Sequence, residues 1–297
     1  MKTTTLLALL VSAAPIAAQA ESITGGMTLS YTRHSNDFGD MRTTGLDGRL
    51  AIDMDNGLRF GFDLGRSTMS QDGSPIDLDA EFYSVEASYG FGGGMRAGLF
   101  ADRLSIGAGL SPIDITLSTN GLSFGYEGNG FEGEAFVGKT SLNVPLPFEI
   151  KNYGVFGHYT GMDKLDVGAA FLRAHLTQGG NSTNMDFRGV AATYLATPQL
   201  MVFGGFGQLD LGLLSSAGID SFGLGVSYDL GAKMGFSSSV SLEVGRVSQG
   251  GSDADVLRVG WTIPLGKSGP ALPMNSVADA VLNPRHGAFN AGVTAGF

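Results

Sequence analysis

The stretch GRLAIDMDNGLRFGFDLG, residues 48–65, alternates in polarity on both sides of Asp55-Asn56-Gly57. We predict a hairpin here, with those three residues as the loop and Gly57 in the left-handed conformation. Apolar side chains then pair on one face: Met54 with Leu58, Ile52 with Phe60, and Leu50 with Phe62. Opposite charges pair on the other face: Asp53 with Arg59, and Arg49 with Asp63. Because cross-strand pairs stabilise a register, the stretch predicts an antiparallel pair with one apolar and one polar face.

The same alternation continues along the chain in segments of about ten residues, separated by clusters rich in glycine, asparagine, aspartate and proline. The chain of 297 residues has 47 glycines, no cysteine and a hydrophobic fraction of 43%. Repeated short alternating segments with many turns are typical of a transmembrane β-barrel. We therefore predict an all-β fold, a closed antiparallel transmembrane β-barrel of about sixteen strands, with a range of roughly 14 to 18.

Residues 113–138, IDITLSTNGLSFGYEGNGFEGEAFVG, illustrate how the strands are counted. Asn120-Gly121 and Asn129-Gly130 have the composition of two-residue hairpin turns. Turns at both sites predict separate strands over 113–119, 122–128 and 131–139. The apolar face then stays apolar across all three strands, and a slip of one residue would mix the faces.

The first twenty residues, MKTTTLLALLVSAAPIAAQA, have the form of a secretory signal peptide. Lys2 supplies a positive charge, Leu6–Ala14 is a short apolar run, and Ala18-Gln19-Ala20 has the small-x-small form of a cleavage site. We predict cleavage after Ala20 and a single barrel domain over 21–297. The alternative is a membrane anchor or a buried helix.

The last twelve residues, HGAFNAGVTAGF, alternate again and end on an aromatic ring. They predict a final strand over 287–297. This segment resembles the terminal strand of Gram-negative outer-membrane proteins, which end in Phe behind apolar residues at every second position. The resemblance implies that Phe289, Val293 and Phe297 form a signal for the assembly machinery. Two alternatives concern the preceding residues: DVLRVGWTIPL (255–265) could be the closing strand with the rest an appendage, and SVADAVLN (276–283) could be a further strand.

The whole chain is similar to alphaproteobacterial porins of the Rhodobacter type in its length, its glycine content and its formal charge of −10. That resemblance implies an outer-membrane channel through which small hydrophilic solutes and ions diffuse. Family porins carry a long acidic third loop inside the lumen. The corresponding connection here, Arg103–Pro112, is short and contains no acidic residue.

A water-filled lumen would be lined by the polar face of the strands, and charged rings in such a wall bias ion selectivity. Acidic residues outnumber basic ones among the candidates, so we predict a weak cation preference. The alternative for any of them is an ion pair near a rim that contributes little. The candidates are Arg49, Asp53, Arg59, Asp63, Glu86, Arg96, Asp102, Asp114, Glu132, Glu134, Asp186, Arg188, Glu243 and Arg258.

Other functions receive less support from the residues. The rivals are a non-conducting barrel with a structural or biogenesis role, an autotransporter-like translocator, an outer-membrane hydrolase and a soluble β-sandwich. The four histidines are scattered without ligand spacing, so we predict no catalytic site, no metal site and no cofactor. Acidic segments at Asp72–Asp79 and Asp253–Asp255 could hold Ca²⁺ through oxygen ligands. The acidic charge argues against nucleic acid. Expected partners are outer-membrane lipids, the assembly machinery, small solutes and ions, and further copies in a homotrimer.

Overall fold

The computed structural model describes residues 20–36, 39–74, 77–109, 114–144, 148–212, 218–266 and 269–296. The predicted signal peptide, apart from Ala20, and the terminal Phe297 lie outside the described residues. Cleavage after Ala20 therefore stays a prediction.

Fourteen strands form one antiparallel sheet. They are β1 (Ala20–Asn36), β2 (Gly39–Met54), β3 (Leu58–Gln71), β4 (Asp77–Gly92), β5 (Met95–Ala108), β6 (Ile115–Gly128), β7 (Phe131–Leu142), β8 (Glu149–Met162), β9 (Leu165–Gln178), β10 (Asn181–Thr197), β11 (Leu200–Asp210), β12 (Ile219–Asp229), β13 (Ser239–Gln249) and β14 (Ser252–Leu265). In the described part of the chain, three short helices accompany them: α1 (Gly231–Met234), α2 (Val277–Leu282) and α3 (Ala288–Gly296).

The sheet closes on itself, because β1 pairs with β2 on one side and with β14 on the other. The closing register runs from Gly25 opposite Leu265 to Ser35 opposite Asp255. Closure leaves no unpaired sheet edge, which a barrel in lipid requires. The prediction of a closed antiparallel barrel is confirmed, with fourteen strands in place of sixteen. We call the end where β1 begins and β14 ends the terminal end, and the opposite end the distal end.

The hairpin over 48–65 forms in the predicted register. Ile52 lies opposite Phe60, Leu50 opposite Phe62, Asp53 opposite Arg59 and Arg49 opposite Asp63. Gly57 adopts a left-handed φ of 84° between β2 and β3.

One predicted turn and one predicted strand are wrong, and together they explain why fourteen strands form in place of sixteen. Asn120-Gly121 is not a turn, since β6 runs through it without a break. Gly121 is required for packing there: a Cβ at this position would lie 2.4 Å from the Cζ atom of Phe100. The second predicted turn is confirmed, with positive φ at both Asn129 and Gly130. Merging two segments into β6 removes one strand, and the predicted strand 287–297 is the other.

Residues 287–297 do not form a strand. The chain leaves β14 at the terminal end and turns back into the lumen, where α2 and α3 pack against the inner wall. The wall thus ends at Leu265, and the alternative in which 255–265 closes the barrel is the correct one. We call residues 269–296 the plug. Among the described residues, no helix has the length and hydropathy needed to cross a bilayer.

Local sequence explains why the plug is helical. The side chain of Ser276 accepts a hydrogen bond from the backbone N–H of Asp279 and caps α2. In α3, Ala288, Ala291 and Ala295 recur at helical spacing and are buried. A lone strand inside the lumen would leave its backbone groups unpaired, whereas a helix pairs them internally.

The two faces of the wall differ as predicted. Large apolar side chains are exposed on the outer face, for example Leu99 at 64%, Val190 at 59% and Leu122 at 57%. Polar side chains such as Thr28 and Asp102 are buried on the inner face. Exposed aromatic side chains lie on the outer face beside the turns of the terminal end, where an interfacial girdle is expected. These are Tyr89, Phe91, Phe131, Tyr159, Tyr194 and Tyr228.

Candidate functional site

A cavity of about 660 Å³ opens at the terminal end of the lumen, which we call the vestibule. The turns after β2, β4 and β6 contribute to its wall, together with the end of β8. Its ionisable side chains are Asp53, Arg59, Arg96, Glu127, Glu132 and His158. The vestibule therefore carries three carboxylates, two guanidinium groups and one imidazole.

These charges form one continuous network. Arg59 lies 3.5 Å from Asp53 and 3.8 Å from Glu127. Arg96 lies 3.6 Å from Glu127 and 3.2 Å from Glu132. These ion pairs between basic and acidic neighbours hold the side chains against the wall. The centre of the vestibule is left open to water or ions.

Beyond the vestibule the plug crosses the lumen and binds charged groups on the wall. Arg49 of β2 contacts Asp63 of β3 at 2.8 Å and Asp279 of α2 at 3.1 Å. Asp279 is buried, and Asn283 donates a second hydrogen bond to it at 2.8 Å. Arg49 thus links the wall to α2 of the plug.

The next plug residues repeat this pattern further along the wall. Arg285 contacts Asp47 at 3.1 Å, and its guanidinium lies 4.0 Å from the centre of the Phe82 ring. This combines an ion pair with a cation–π contact. On β13, three strands from β2 around the barrel, Glu243 accepts a hydrogen bond from the backbone N–H of Val277 at 3.2 Å.

His286 is also buried where the plug meets the wall. Its ring stacks on Phe100 with centroids 3.8 Å apart, and Nε2 lies 2.8 Å from Oε1 of Glu134. Nδ1 lies 3.4 Å from Oδ2 of Asp102. Burial alone would lower the pKa of His286, but the neighbouring carboxylates of Asp102 and Glu134 outweigh burial and raise it to about 10. With no other cation bound, the imidazole is therefore positively charged at neutral pH.

Glycines on four neighbouring strands make room for α2, and we call Gly168, Gly189, Gly205 and Gly223 the glycine seat. A Cβ at Gly189 would lie 2.4 Å from Val281, and one at Gly168 would lie 2.6 Å from Leu282. A Cβ at Gly205 would meet the backbone of Ala278 at 3.0 Å. Only glycine permits the helix to approach the wall this closely, so the wall is shaped to receive the plug.

An apolar cluster completes the packing of the plug. Inner-face residues of β8 to β11, including Leu172, Phe187 and Phe203, pack with Val281, Ala291 and their neighbours in the plug. The sequence pattern suggested a polar lumen wall throughout, but this part of the wall is apolar. One side is a dry core, and the other side holds the charged contacts.

Most of the predicted lumen residues lie on the inner face of the wall. Those with contacts to the plug, to the vestibule or to other inner-face groups are Arg49, Asp53, Arg59, Asp63, Glu86, Arg96, Asp102, Glu132, Glu134, Glu243 and Arg258. Arg258 is only 2% exposed and pairs with Glu243. Asp114 differs from them, because it is exposed and precedes β6 near the distal end.

The predicted lumen positions of Asp186 and Arg188 are wrong. Phe187 and Gly189 of the same strand face the plug, so Asp186 and Arg188 project from the outer face. There Asp186 pairs with Arg173 at 2.5 Å and with Arg188 at 3.4 Å. Alternation alone could not fix which parity of β10 faces inward.

Sequence reasoning missed the functional residues of the plug: Asp279, Arg285 and His286. Phe289 and Val293, predicted to lie in a closing strand, instead lie in α3, and their role in assembly stays a prediction. One signal for the plug was present. Ser276 and Asp279 have the spacing of a helix cap before the apolar residues of α2.

No protein-family model matches the chain, and no curated protein matches it. Several solved structures, however, are similar to this chain. An anion-selective porin from Comamonas acidovorans is 10% identical, with a TM-score of 0.53, and the match covers 82% of this chain and 99% of the porin. The P. putida toluene transporter TodX is 11% identical, with a TM-score of 0.52, and the match covers 86% of this chain and 92% of TodX. The fold is that of an outer-membrane barrel. Together with the closed sheet, these neighbours support a location in the bacterial outer membrane.

Proposed function

We propose that this protein is an outer-membrane channel for passive diffusion of small hydrophilic solutes and ions, narrowed by its own C-terminal plug. The observation that carries the proposal is a closed barrel with an apolar exterior and an ionised vestibule at one mouth of its lumen. Solutes would pass between the plug and the polar part of the wall. The connection Arg103–Pro112 contains no acidic residue, and the plug would form the constriction that an acidic third loop forms in Rhodobacter-type porins.

We also propose a weak preference for cations. The vestibule carries three carboxylates against two guanidinium groups, and such a ring of charge favours counter-ions.

The resemblance to Rhodobacter-type porins rests on composition and length. Outer-membrane lipids, the assembly machinery and a homotrimer remain proposed partners, and the absence of enzyme activity remains an expectation.

A non-conducting barrel is the second candidate. It is favoured by one observation: α2 sits on the glycine seat, and α3 packs into the apolar cluster, so the dry side of the lumen is filled. In this case the plug would seal the barrel.

Single-channel recording in planar bilayers separates the two functions. We expect the wild-type protein to give sustained conductance steps with a reversal potential that favours K⁺ over Cl⁻. Gly189→Ala should enlarge the steps, because the added methyl group overlaps Val281 and loosens the plug. Gly61→Ala is the matched control, since its Cβ meets only Glu86 at an ordinary 3.5 Å. Silence of all three folded proteins would contradict conduction, and a chloride preference would contradict the predicted selectivity.

A further inference from the structure

Three metal-ligating side chains meet where the plug crosses the wall of β4 and β7. Glu86, Glu134 and His286 each present one ligand atom, and these atoms lie within 4.8 Å of one another. No other such group of three occurs in the described part of the chain. Two ligands come from the wall and the third from the plug, so sequence spacing could not reveal the cluster.

The charge around the cluster is unbalanced. The carboxylates of Glu86, Glu134 and Asp102 face the cations His286 and Arg96, with Arg96 4.0 Å from Glu134. When all three carboxylates are ionised, one negative charge remains in this largely buried site even with a protonated imidazole. Burying an uncompensated charge is costly. A divalent cation with a neutral His286 would balance the three carboxylates and Arg96.

The histidine is already oriented as a metal ligand would be. Nε2 points towards Glu134, while Nδ1 points towards Oδ2 of Asp102, which is 3.4 Å away. That oxygen has no hydrogen-bond partner in the structure, and Asp102 is only 4% exposed. In metal sites the second ring nitrogen of a histidine ligand typically donates its proton to a carboxylate. Phe100 and Phe136 hold the ring from two sides.

The site also has a route of entry. Arg96 lines the vestibule and lies within ion-pair distance of both Glu132 in the vestibule and Glu134 in the cluster. An ion entering from the terminal end would therefore meet the cluster at the inner limit of the vestibule.

We propose that Glu86, Glu134 and His286 bind a divalent transition-metal ion of the Zn²⁺ type, with Asp102 orienting His286 and water as the fourth ligand. Nitrogen and oxygen donors suit Zn²⁺, and bonds of 2.0–2.2 Å in a tetrahedron set donors roughly 3.4 Å apart. Only small side-chain shifts separate the present cluster from that spacing. The bound ion would tie the plug to the wall.

The test measures binding directly, on the full-length protein in detergent and independently of conduction. Dialysis against Zn²⁺ followed by metal analysis should give one equivalent per barrel. Replacement by Co²⁺ should give the visible absorption of a tetrahedral site. Glu86→Gln and His286→Ala should each weaken binding by at least about tenfold, and Asp102→Asn by roughly ten- to a hundredfold.

His158→Ala is the matched control, because His158 also lies between two carboxylates, Glu132 and Asp166, but outside the cluster. It should retain the full equivalent of metal. Glu86→Gln keeps side-chain shape, so it carries the test if His286→Ala fails to fold. Wild-type protein that takes up no stoichiometric metal would overturn the proposal. So would uptake that is unchanged in folded Glu86→Gln.

Discussion

At the scale of single residues, Arg49 is one of the side chains that hold the plug against the wall. It is only partly exposed and contacts both Asp63 on the wall and the buried Asp279 in α2. Breaking a buried ion pair from one side leaves an uncompensated charge, which typically costs several kcal/mol. We expect Arg49→Gln to weaken docking of α2 by about 3 kcal/mol. Hydrogen exchange over 277–282 should then accelerate roughly a hundredfold.

The double variant Arg49→Gln/Asp279→Asn gives the internal control for this prediction. It removes the carboxylate that the first change leaves unpaired, so it should recover part of the lost protection. Arg42→Gln, which removes an exposed pair with Asp72, should leave exchange in α2 unchanged. Equal losses in the single and double variants would contradict the assigned role of the Arg49–Asp279 pair.

The hairpin of residues 48–65 could be predicted in full because local pairs fixed it. Loop composition, apolar pairs and charge pairs all agreed on one register, and Gly57 allowed one loop geometry. Asp186 and Arg188 lacked this support. Their partner Arg173 lies on β9, and a shift of one residue turns every side chain to the other face.

At the scale of elements, the end of the chain shows where periodicity misleads. Phe289, Ala291, Val293 and Ala295 alternate like a strand, yet α3 forms because β14 has already closed the barrel on β1. No sheet edge is left for a further strand, and a helix satisfies its own backbone. The predicted turn at Asn120-Gly121 was wrong for a different reason. Gly121 lies within a continuous strand, where the absence of a side chain leaves room for the Phe100 ring.

Cross-linking tests which element closes the barrel. Thr28 of β1 and Thr262 of β14 are direct neighbours in the closing register, with their hydroxyl oxygens 2.9 Å apart. Because the chain has no cysteine, Thr28→Cys/Thr262→Cys introduces one pair at β-sheet spacing. We expect it to form an intramolecular disulfide on mild oxidation, detected as a mobility shift on non-reducing gels.

The control pair is Thr28→Cys/Thr140→Cys, which joins β1 to β7, six strands away around the barrel, and should stay reduced. If the control pair cross-links and Thr28→Cys/Thr262→Cys does not, the closure between β1 and β14 is wrong.

At the scale of the whole molecule, the barrel could be predicted and the plug could not. Short-range alternation determines the wall, and its apolar outer face and polar inner residues follow from it. The plug depends on contacts between distant residues, such as Arg49 with Asp279 and Glu134 with His286. The glycine seat becomes visible only when four strands lie side by side. Alternation along the sequence does not show which distant residues come into contact in the fold.

The most direct test of this architecture is the accessibility of spin labels in protein reconstituted into lipid bilayers. Labels at Leu99, Leu122 and Val190 should be reached by oxygen dissolved in the acyl chains and not by a water-soluble nickel complex. A label at Val293 should be shielded from the oxygen in lipid, because α3 lies inside the barrel. Strong oxygen access at Val293 would show that this segment belongs to the lipid-facing wall. Nickel access at the other three sites would show that these side chains face water, which would contradict a lipid-facing outer surface.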